Sequence, residues 1–362
     1  MNQILLWLRA HRRGVAALAA GLAALGIFLL ARRDRAAMDW WLSHISMPIK
    51  RGVSFLVDPL PCSACELGAT VLIVAALVLL VRAVRRRRFA SWVLHMAVLL
   101  VWGYAAVCGL WGTQYYGTTF AEKAGMTAPP VSVEELAAVT DYFAARVNET
   151  APLVDRDANG LFAVDKREIL DGCTGLYDPL TERWPFLSGP ELRPKPALYS
   201  KLMSAWGFTG YLCPLVGEST LNVDSPAVFL PVTVAHELAH QRGVAAEQEA
   251  NFVGVMAATA SPKADYAYSG WLFGYLHLSN ALYAADPALA AESYQTLCEG
   301  ARTDLADNNA YWKQWEGPVK ETGEKVYTTF LQGYGQSLGM RSYGACVDLL
   351  VQEFLPNTST SD

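Results

Sequence analysis

Two histidines and a glutamate stand close together in the segment His236-Glu237-Leu238-Ala239-His240. On a helix the histidines lie one turn apart on one face, where both imidazoles can ligate a zinc ion. The glutamate between them can take a proton from a water molecule activated by that zinc. The chain has only six histidines, so this spacing favours a zinc hydrolase with His236 and His240 as ligands and Glu237 as general base. A buried helix with hydrogen-bonded core histidines is the alternative, but it does not account for the glutamate.

A third metal ligand is expected just after this helix. Gly243 lets the chain turn, and Glu247 follows four residues later. In glutamate-type zinc hydrolases the third ligand commonly begins an E-x-x-x-D pattern whose last residue orients a ligand histidine, and here Asn251 takes the place of the aspartate. Glu247 is therefore preferred over Glu249, which lies on a different helical face. His277 is a rival from elsewhere in the chain.

A helix and a strand must position these residues. Leu230 to Arg242 has the apolar spacing of a buried helix, in which Pro231 is tolerated in the first turn and Gly243 marks the end. Just ahead of it, Val216 to Val223 has strand-forming residues. Such a strand at the edge of a sheet could pair with an extended peptide substrate, although a structural hairpin strand would have the same sequence pattern.

Helices dominate the rest of the C-terminal part. Ser132 followed by Glu135 predicts a capping box that opens a helix ending near Val147. Further helices are predicted at 271–284, 287–297 and 347–354, and mostly loop at 172–196. The predicted fold class is therefore α+β and mainly helical.

Asp155 to Gly160 has the D-x-D-x-N-G opening of a calcium loop. Lys166 stands where such a loop needs a bidentate glutamate. A polar loop closed by an Asx turn is therefore preferred over a calcium site.

Three apolar runs at the N-terminus predict transmembrane helices at about 14–31, 67–84 and 89–111. A signal peptide is the alternative for the first run, but Arg32 and Arg33 follow it where a small-residue cleavage site is required. The predicted organisation is a membrane region at 1–111 and a catalytic domain at 112–362.

The hairpin between the second and third runs carries Arg82 and Arg85 to Arg88, which the positive-inside rule assigns to the cytoplasm. Three spans then put the catalytic domain on the outer side of the cell membrane. The net charge of −5 and the confinement of basic residues to membrane edges argue against a nucleic-acid partner. The expected partners are the lipid bilayer and a peptide or protein substrate.

Cysteine usage is compatible with that outer location. The C-terminal part has four cysteines, Cys173, Cys213, Cys298 and Cys346. They would permit two disulfides in an oxidising compartment. Cys62 and Cys65 have C-x-x-C spacing without a second pair nearby, so a disulfide or free thiols are favoured over a metal site.

Candidates for an oxyanion donor are Tyr343, His277 and Tyr275, chosen by residue type. The alternative for each of them is a structural role, as an aromatic or hydrogen-bonded residue packed in the core. Arg341 could bind a substrate carboxylate or be solvated. His95, inside the third span, is expected to be a neutral, hydrogen-bonded histidine between helices.

Several segments together resemble the bacterial membrane-protein family known as domain of unknown function 3810. These are 210–214, 217–218, Asn222, 236–243 and 249–252, with the three N-terminal spans, 342–344 and 347–350. The family is grouped with zincin-like metallopeptidases. The resemblance therefore implies a zincin-like fold and a Zn²⁺ cofactor, but no substrate.

The sequence as a whole predicts a membrane-anchored zinc metallopeptidase of the gluzincin type. The zinc would lower the pKa of its water and polarise the scissile carbonyl, and Glu237 would carry a proton to the leaving amine. The alternative is a non-hydrolytic zinc-containing receptor or scaffold that binds peptides. Too few spans and the lack of paired intramembrane charges disfavour a transporter.

Overall fold

The computed structural model describes residues 2–127, 131–189, 192–333 and 343–358 and is mainly helical, as predicted. The α-helices are α1 Asn2–Ala10, α2 Arg12–Ala31, α3 Arg35–Trp41, α4 Met47–Val57, α5 Ala64–Arg85, α6 Phe89–Leu110, α7 Phe120–Ala124, α8 Val133–Thr150, α9 Lys166–Asp171, α10 Asp178–Arg183, α11 Ser200–Trp206, α12 Leu230–Gln241, α13 Glu247–Thr259, α14 Ala264–Ala285, α15 Pro287–Thr296, α16 Glu299–Lys313, α17 Pro318–Gly333 and α18 Tyr343–Thr358. The strands are β1 Lys195–Pro196, β2 Gly210–Leu212 and β3 Ser219–Leu221.

The chain forms two compact units. The N-terminal unit is Met1–Thr118 together with Cys213–Gly217, and the C-terminal unit is Thr119–Leu212 together with Glu218–Asp362. The short segment 213–217 is held in the N-terminal unit by Ser54, whose hydroxyl donates to the carbonyl of Val216 at 2.6 Å.

Three helices of the N-terminal unit, α2, α5 and α6, are long and apolar enough to cross a membrane. Hardly any of their surface is buried within the protein, as expected where lipid is the solvent. This confirms three apolar helices of spanning length at the predicted positions. Helices α2 and α6 run in the same direction, since Gly14 packs on Leu94 and Gly21 on Val101.

The stretch between the first two spans is helical. Helix α3 passes through a π-helical turn, Leu42–Ser46, into α4. Its apolar residues divide between two environments, because Met38 and Met47 are buried whereas Phe55 and Leu56 are largely exposed.

The core of the C-terminal unit is built by α8, α12, α13, α14 and α18. Phe143, Trp271 and Phe354 pack edge to face, with ring centroids 4.9 to 5.5 Å apart. The predicted capping box at the start of α8 is present, because Ser132 and Glu135 each accept a hydrogen bond from the other's backbone N–H.

The sheet has the strand order β1-β3-β2. Strand β3 pairs in parallel with β1 and antiparallel with β2. The predicted strand at 216–223 therefore exists as β3, but the idea that it forms an edge is wrong. The edge role fails because the two-residue strand β1 covers its other side, and β2 is the edge strand nearest the motif helix.

The loop at 155–160 closes as the predicted Asx turn. Oδ1 of Asp157 accepts hydrogen bonds from the backbone N–H groups of Asn159 and Leu161 at 2.8 and 2.9 Å. Lys166 donates to the carbonyls of Val223 and Ser225 instead of supporting a cation site. The described part of the predicted loop at 172–196 contains the short helix α10, a 3₁₀ turn at Pro185–Leu187 and strand β1. The described part of the chain, which includes all seven cysteines, contains no disulfide, so the two permitted disulfides are not formed.

Candidate metal centre

The histidine motif lies on α12, which begins at Leu230 with Pro231 in its first turn. After the helix, Gly243 adopts φ 92°, a left-handed conformation that favours glycine and reverses the chain. The reversal brings Glu247, the first residue of α13, back to the histidines. At Gly254 the two helices touch so closely that a Cβ would lie 3.0 Å from the backbone nitrogen of His236. This close packing holds α13 against the ligand face of α12.

The structure brings His236, His240 and Glu247 together, with one potential ligand atom of each within 4.8 Å of the others. Nε2 of His236 lies 3.4 Å from one Glu247 oxygen, and Nε2 of His240 lies 3.7 Å from the other. Four tetrahedral ligands about 2.0 to 2.1 Å from a zinc ion are about 3.3 Å apart. The spacing of these three side chains is close to that requirement.

The ring of His240 is oriented by the turn that follows it. Its Nδ1–H donates to the carbonyl of Val244 at 2.6 Å. This bond fixes the ring so that Nε2 faces the Glu247 carboxylate. A hydrogen bond of this kind, from the second ring nitrogen to a carbonyl, is typical of histidines that bind metals.

The charges of His240 and Glu247 affect each other's pKa strongly. Burial alone would lower the pKa of His240, but the neighbouring carboxylate of Glu247 raises it to about 9. Burial acts in the opposite direction on Glu247, and the two histidines outweigh it and hold its pKa well below the usual range. The raised pKa of His240 and the lowered pKa of Glu247 have the same cause, their attraction to each other, and a cation bound by both groups could replace that attraction.

Glu237 is buried beside the cluster, with 3% of its surface exposed. Its Oε2 has no hydrogen-bond partner among the described residues. Burial raises the pKa of this carboxyl, an effect opposed by the two neighbouring histidines. Gly210 of β2 makes room for it, because a Cβ there would lie 2.7 Å from Oε1. A buried carboxylate oxygen without a partner is costly unless a ligand completes it.

Glu249, the rival third ligand, faces another part of the protein. Its two oxygens accept hydrogen bonds from the backbone N–H groups of Phe120 and Ala121 at 3.0 and 2.9 Å. It thus caps the N-terminus of α7. The geometry favours Glu247 over Glu249 as the third ligand. Asn251, expected to orient a ligand histidine, makes no side-chain hydrogen bond to another residue in the described part of the chain.

The sequence analysis missed Tyr327. This residue lies on α17, 80 positions after Glu247, and its hydroxyl donates a hydrogen bond to Oε1 of Glu247. Its ring packs edge to face on Phe208, with centroids 5.4 Å apart. No local motif marks this tyrosine, so only the tertiary structure could reveal it.

The other candidates occupy different positions. His277 is close enough to His236 for its charge to matter, but it is outside the three-residue cluster. Burial, assisted by His236, lowers the pKa of His277 to about 4. Tyr275 lies near Ser293 on α15. Arg341 lies outside the described residues, and so does the side chain of Tyr343.

Strand β3 is tied to α12 by side chains that leave the ligand face free. Gln241 donates to the Ser219 hydroxyl at 2.9 Å, and that hydroxyl lies 3.4 Å from the carbonyl of Glu237. On the opposite face of α12, the Tyr177 hydroxyl donates to the carbonyl of Ala235 at 2.6 Å. The motif helix is thereby fixed on two sides.

The family described as "Protein of unknown function (DUF3810)" matches residues 43–351, a range that includes the whole three-residue cluster. Neither the curated proteins nor the solved structures contain a match to this chain. Because the match covers most of the sequence, the chain belongs to the family described as "Protein of unknown function (DUF3810)".

Proposed function

We propose that this protein is a membrane-anchored, zinc-dependent peptidase with a zincin-like catalytic unit. One observation carries the proposal: two imidazoles and a carboxylate converge within 4.8 Å, beside a buried glutamate that has an oxygen without a partner. A structural ion pair would account for the convergence alone. It would not account for the unsatisfied oxygen of Glu237.

The donor set fits zinc. Two neutral imidazole nitrogens and one carboxylate oxygen are the protein ligands of many catalytic zinc sites, in which the fourth position is left open. Zinc held there would lower the pKa of a bound water and polarise a carbonyl group. Two hydrogen bonds would orient the ligands: the Tyr327 hydroxyl donates to Glu247, and His240 donates to the Val244 carbonyl.

Glu237 is suited to hold and move the proton. Its carboxyl is buried, which raises its pKa above the usual range and brings it nearer to the pH at which a general base must both accept and release a proton. From there it can take a proton from the attacking water and pass it to the leaving amine. Tyr327 could also donate to a developing oxyanion, but only by releasing Glu247, because its hydroxyl carries a single proton and already donates it to that carboxylate.

Peptides are the favoured substrate class because strand β2 passes next to Glu237. Asn222 N–H donates to the carbonyl of Thr209 at 2.9 Å, and Tyr211 pairs with Thr220. In an antiparallel ladder the alternate residues Gly210 and Leu212 then direct their peptide groups away from β3. An extended substrate could pair with this edge and lay its backbone across the site.

The test uses the purified full-length protein in detergent. Zinc per chain is counted, and cleavage of a mixed peptide library is compared between the parent and Glu237→Gln. We expect one zinc in each protein and cleavage by the parent alone. Absence of bound zinc would refute the proposal. One zinc per chain without cleavage by either protein would favour a non-hydrolytic receptor or scaffold that binds peptides.

The catalytic unit is proposed to lie outside the cytoplasm, since an odd number of spans separates it from the arginine-rich hairpin. A reporter that is active only outside the cytoplasm, fused after Leu355, should be active. A matched fusion within 85–88 should be silent. The reverse pattern would contradict the proposed orientation.

A further inference from the structure

A cavity of about 360 Å³ opens at the N-terminal ends of α2 and α6. Its lining includes Arg12 and Arg13 of α2, the preceding His11, and Leu94 and His95 of α6. Because α2 and α6 run in the same direction, the cavity lies at the end of the helices from which both begin. It is separate from the metal centre, and the candidate peptidase chemistry makes no use of it.

Positive charge at this end is not balanced by any acid nearby in the sequence. Eight arginines belong to it: Arg9, Arg12, Arg13, Arg82, Arg85, Arg86, Arg87 and Arg88. No Asp or Glu occurs in 1–33 or in 67–121. Within the described residues, Arg12 and Arg13 have no carboxylate partner. Two exposed guanidinium groups that share one cavity without a counter-charge favour an anionic ligand.

Aromatic side chains mark this end as a membrane interface. Trp7 stacks on His11 with ring centroids 4.4 Å apart, and Phe89 stacks on Trp92 at 5.8 Å. Tryptophan is enriched at the headgroup level of bilayers. Beyond the cavity, α2 and α6 present exposed apolar side chains, among them Leu22 and Leu100. A ligand there can place an anionic group in the cavity and acyl chains along the helices.

We propose that this cavity binds the phosphate headgroup of an anionic phospholipid, with Arg12 and Arg13 as the principal contacts. The two histidines are fixed by local hydrogen bonds, since Nδ1 of His11 bonds to the carbonyl of Trp7 and Nδ1 of His95 to that of Ser91. With the proton on Nδ1, Nε2 of each neutral ring is an acceptor, which suits a headgroup hydroxyl and leaves the phosphate oxygens to the two arginines. The apolar floor at Leu94 suits the glycerol backbone.

The test is native mass spectrometry of the full-length protein in detergent, titrated with phosphatidylglycerol or phosphatidylcholine. The parent should retain one phosphatidylglycerol at least 10-fold more tightly than phosphatidylcholine. Arg12→Gln with Arg13→Gln should weaken that binding about 30-fold, because two charge-assisted hydrogen bonds to the headgroup are lost. Arg12→Lys with Arg13→Lys, which keeps the charge, should retain most of the affinity.

The matched control is Arg85→Gln with Arg86→Gln, which removes the same charge from the same end but outside the cavity. It should weaken binding less than about 3-fold. If the two double glutamine variants lost the same affinity for phosphatidylglycerol, the lipid would be attracted by the general positive charge of this end and not by the cavity, and the proposal would be overturned. Equal affinity for the two lipids would also overturn it. Retention of inorganic phosphate with displacement of the lipid would identify free phosphate as the ligand instead.

Discussion

Buried carboxylates in the C-terminal unit fall into two groups. Asp304 is 1% exposed and fully satisfied: it accepts hydrogen bonds from the backbone N–H of Phe162 and from the side chains of Arg156 and Tyr268. Glu237 is 3% exposed and has an oxygen with no partner among the described residues. The first arrangement stabilises the fold. The second retains a cost that a purely structural residue would not need, and both histidines of the cluster are near enough to lower its pKa.

The same contrast exists two residues apart on α13. Glu249 is satisfied by two backbone N–H groups, whereas Glu247 faces two imidazoles and the Tyr327 hydroxyl. Burial with donors on every side indicates a structural carboxylate. Burial beside potential metal ligands indicates a functional one.

The largest expected effect separates Glu247 from Glu249. Glu247→Ala should weaken zinc binding by more than about 100-fold, beyond the loss typical of residues that only support a ligand, and abolish cleavage. Glu249→Ala should keep the metal, because its carboxylate only caps α7. Zinc competition with a chromogenic chelator measures both. If Glu249→Ala lost the metal and Glu247→Ala kept it, the third ligand would be Glu249, and the choice of Glu247 would be wrong.

The next largest expected effect is on the stability of the folded protein, and it tests the contrast between Asp304 and Glu237. Asp304→Asn should lower the free energy of unfolding by about 3 kcal/mol, because Arg156 and its neighbours lose a charged partner. Zinc binding per folded molecule should be unchanged. Thermal unfolding in detergent and zinc content measure the two effects. If Asp304→Asn unfolded at the same temperature as the parent, Asp304 would not stabilise the fold, and its contrast with Glu237 would be lost.

Glu237→Gln should have the opposite effect on stability when zinc is removed by a chelator. Burial raises the pKa of Glu237, so the folded protein binds its proton more tightly than the unfolded chain does. That stabilisation is complete below the unfolded pKa and is lost as the pH rises through the folded pKa. At neutral pH the neutral glutamine should therefore unfold at a higher temperature than the parent, and the difference should vanish in acid. A lower unfolding temperature at neutral pH would contradict this.

The smallest expected effect belongs to Tyr327. Tyr327→Phe keeps the ring on Phe208 but removes the hydrogen bond to Glu247. Zinc affinity should fall about 10-fold, at the low end of the range for groups that support a ligand. If the hydroxyl also stabilises an oxyanion, kcat should fall more than KM changes. Unchanged kcat at saturating zinc would restrict Tyr327 to positioning Glu247.

The sequence predicted what depends on local periodicity. The three spans, the capping box at Ser132 and the Asx turn at Asp157 all follow from residues within a few positions of one another. The spacing of His236 and His240 is of the same kind. The choice of Glu247 over Glu249 followed from helical phase, and the geometry agrees with it.

What the sequence could not predict depends on distant segments. The central position of β3 is created by β1, two residues whose pairing with Thr220 and Leu221 has no local signal. Tyr327 reaches Glu247 from another helix. Gly210 fits against Glu237 because of where β2 crosses α12, and its sequence neighbours give no hint of that contact.

Helix α2 is synthesised before its packing partner exists. Its contact surface, at Gly14 and Gly21, meets Leu94 and Val101 of α6, and all of α5 must be made in between. During translation α2 therefore spans the bilayer with this surface against lipid, and only completion of the α5–α6 hairpin covers it. A chain interrupted within α5 would lack α6 and would leave this surface of α2 without its packing partner.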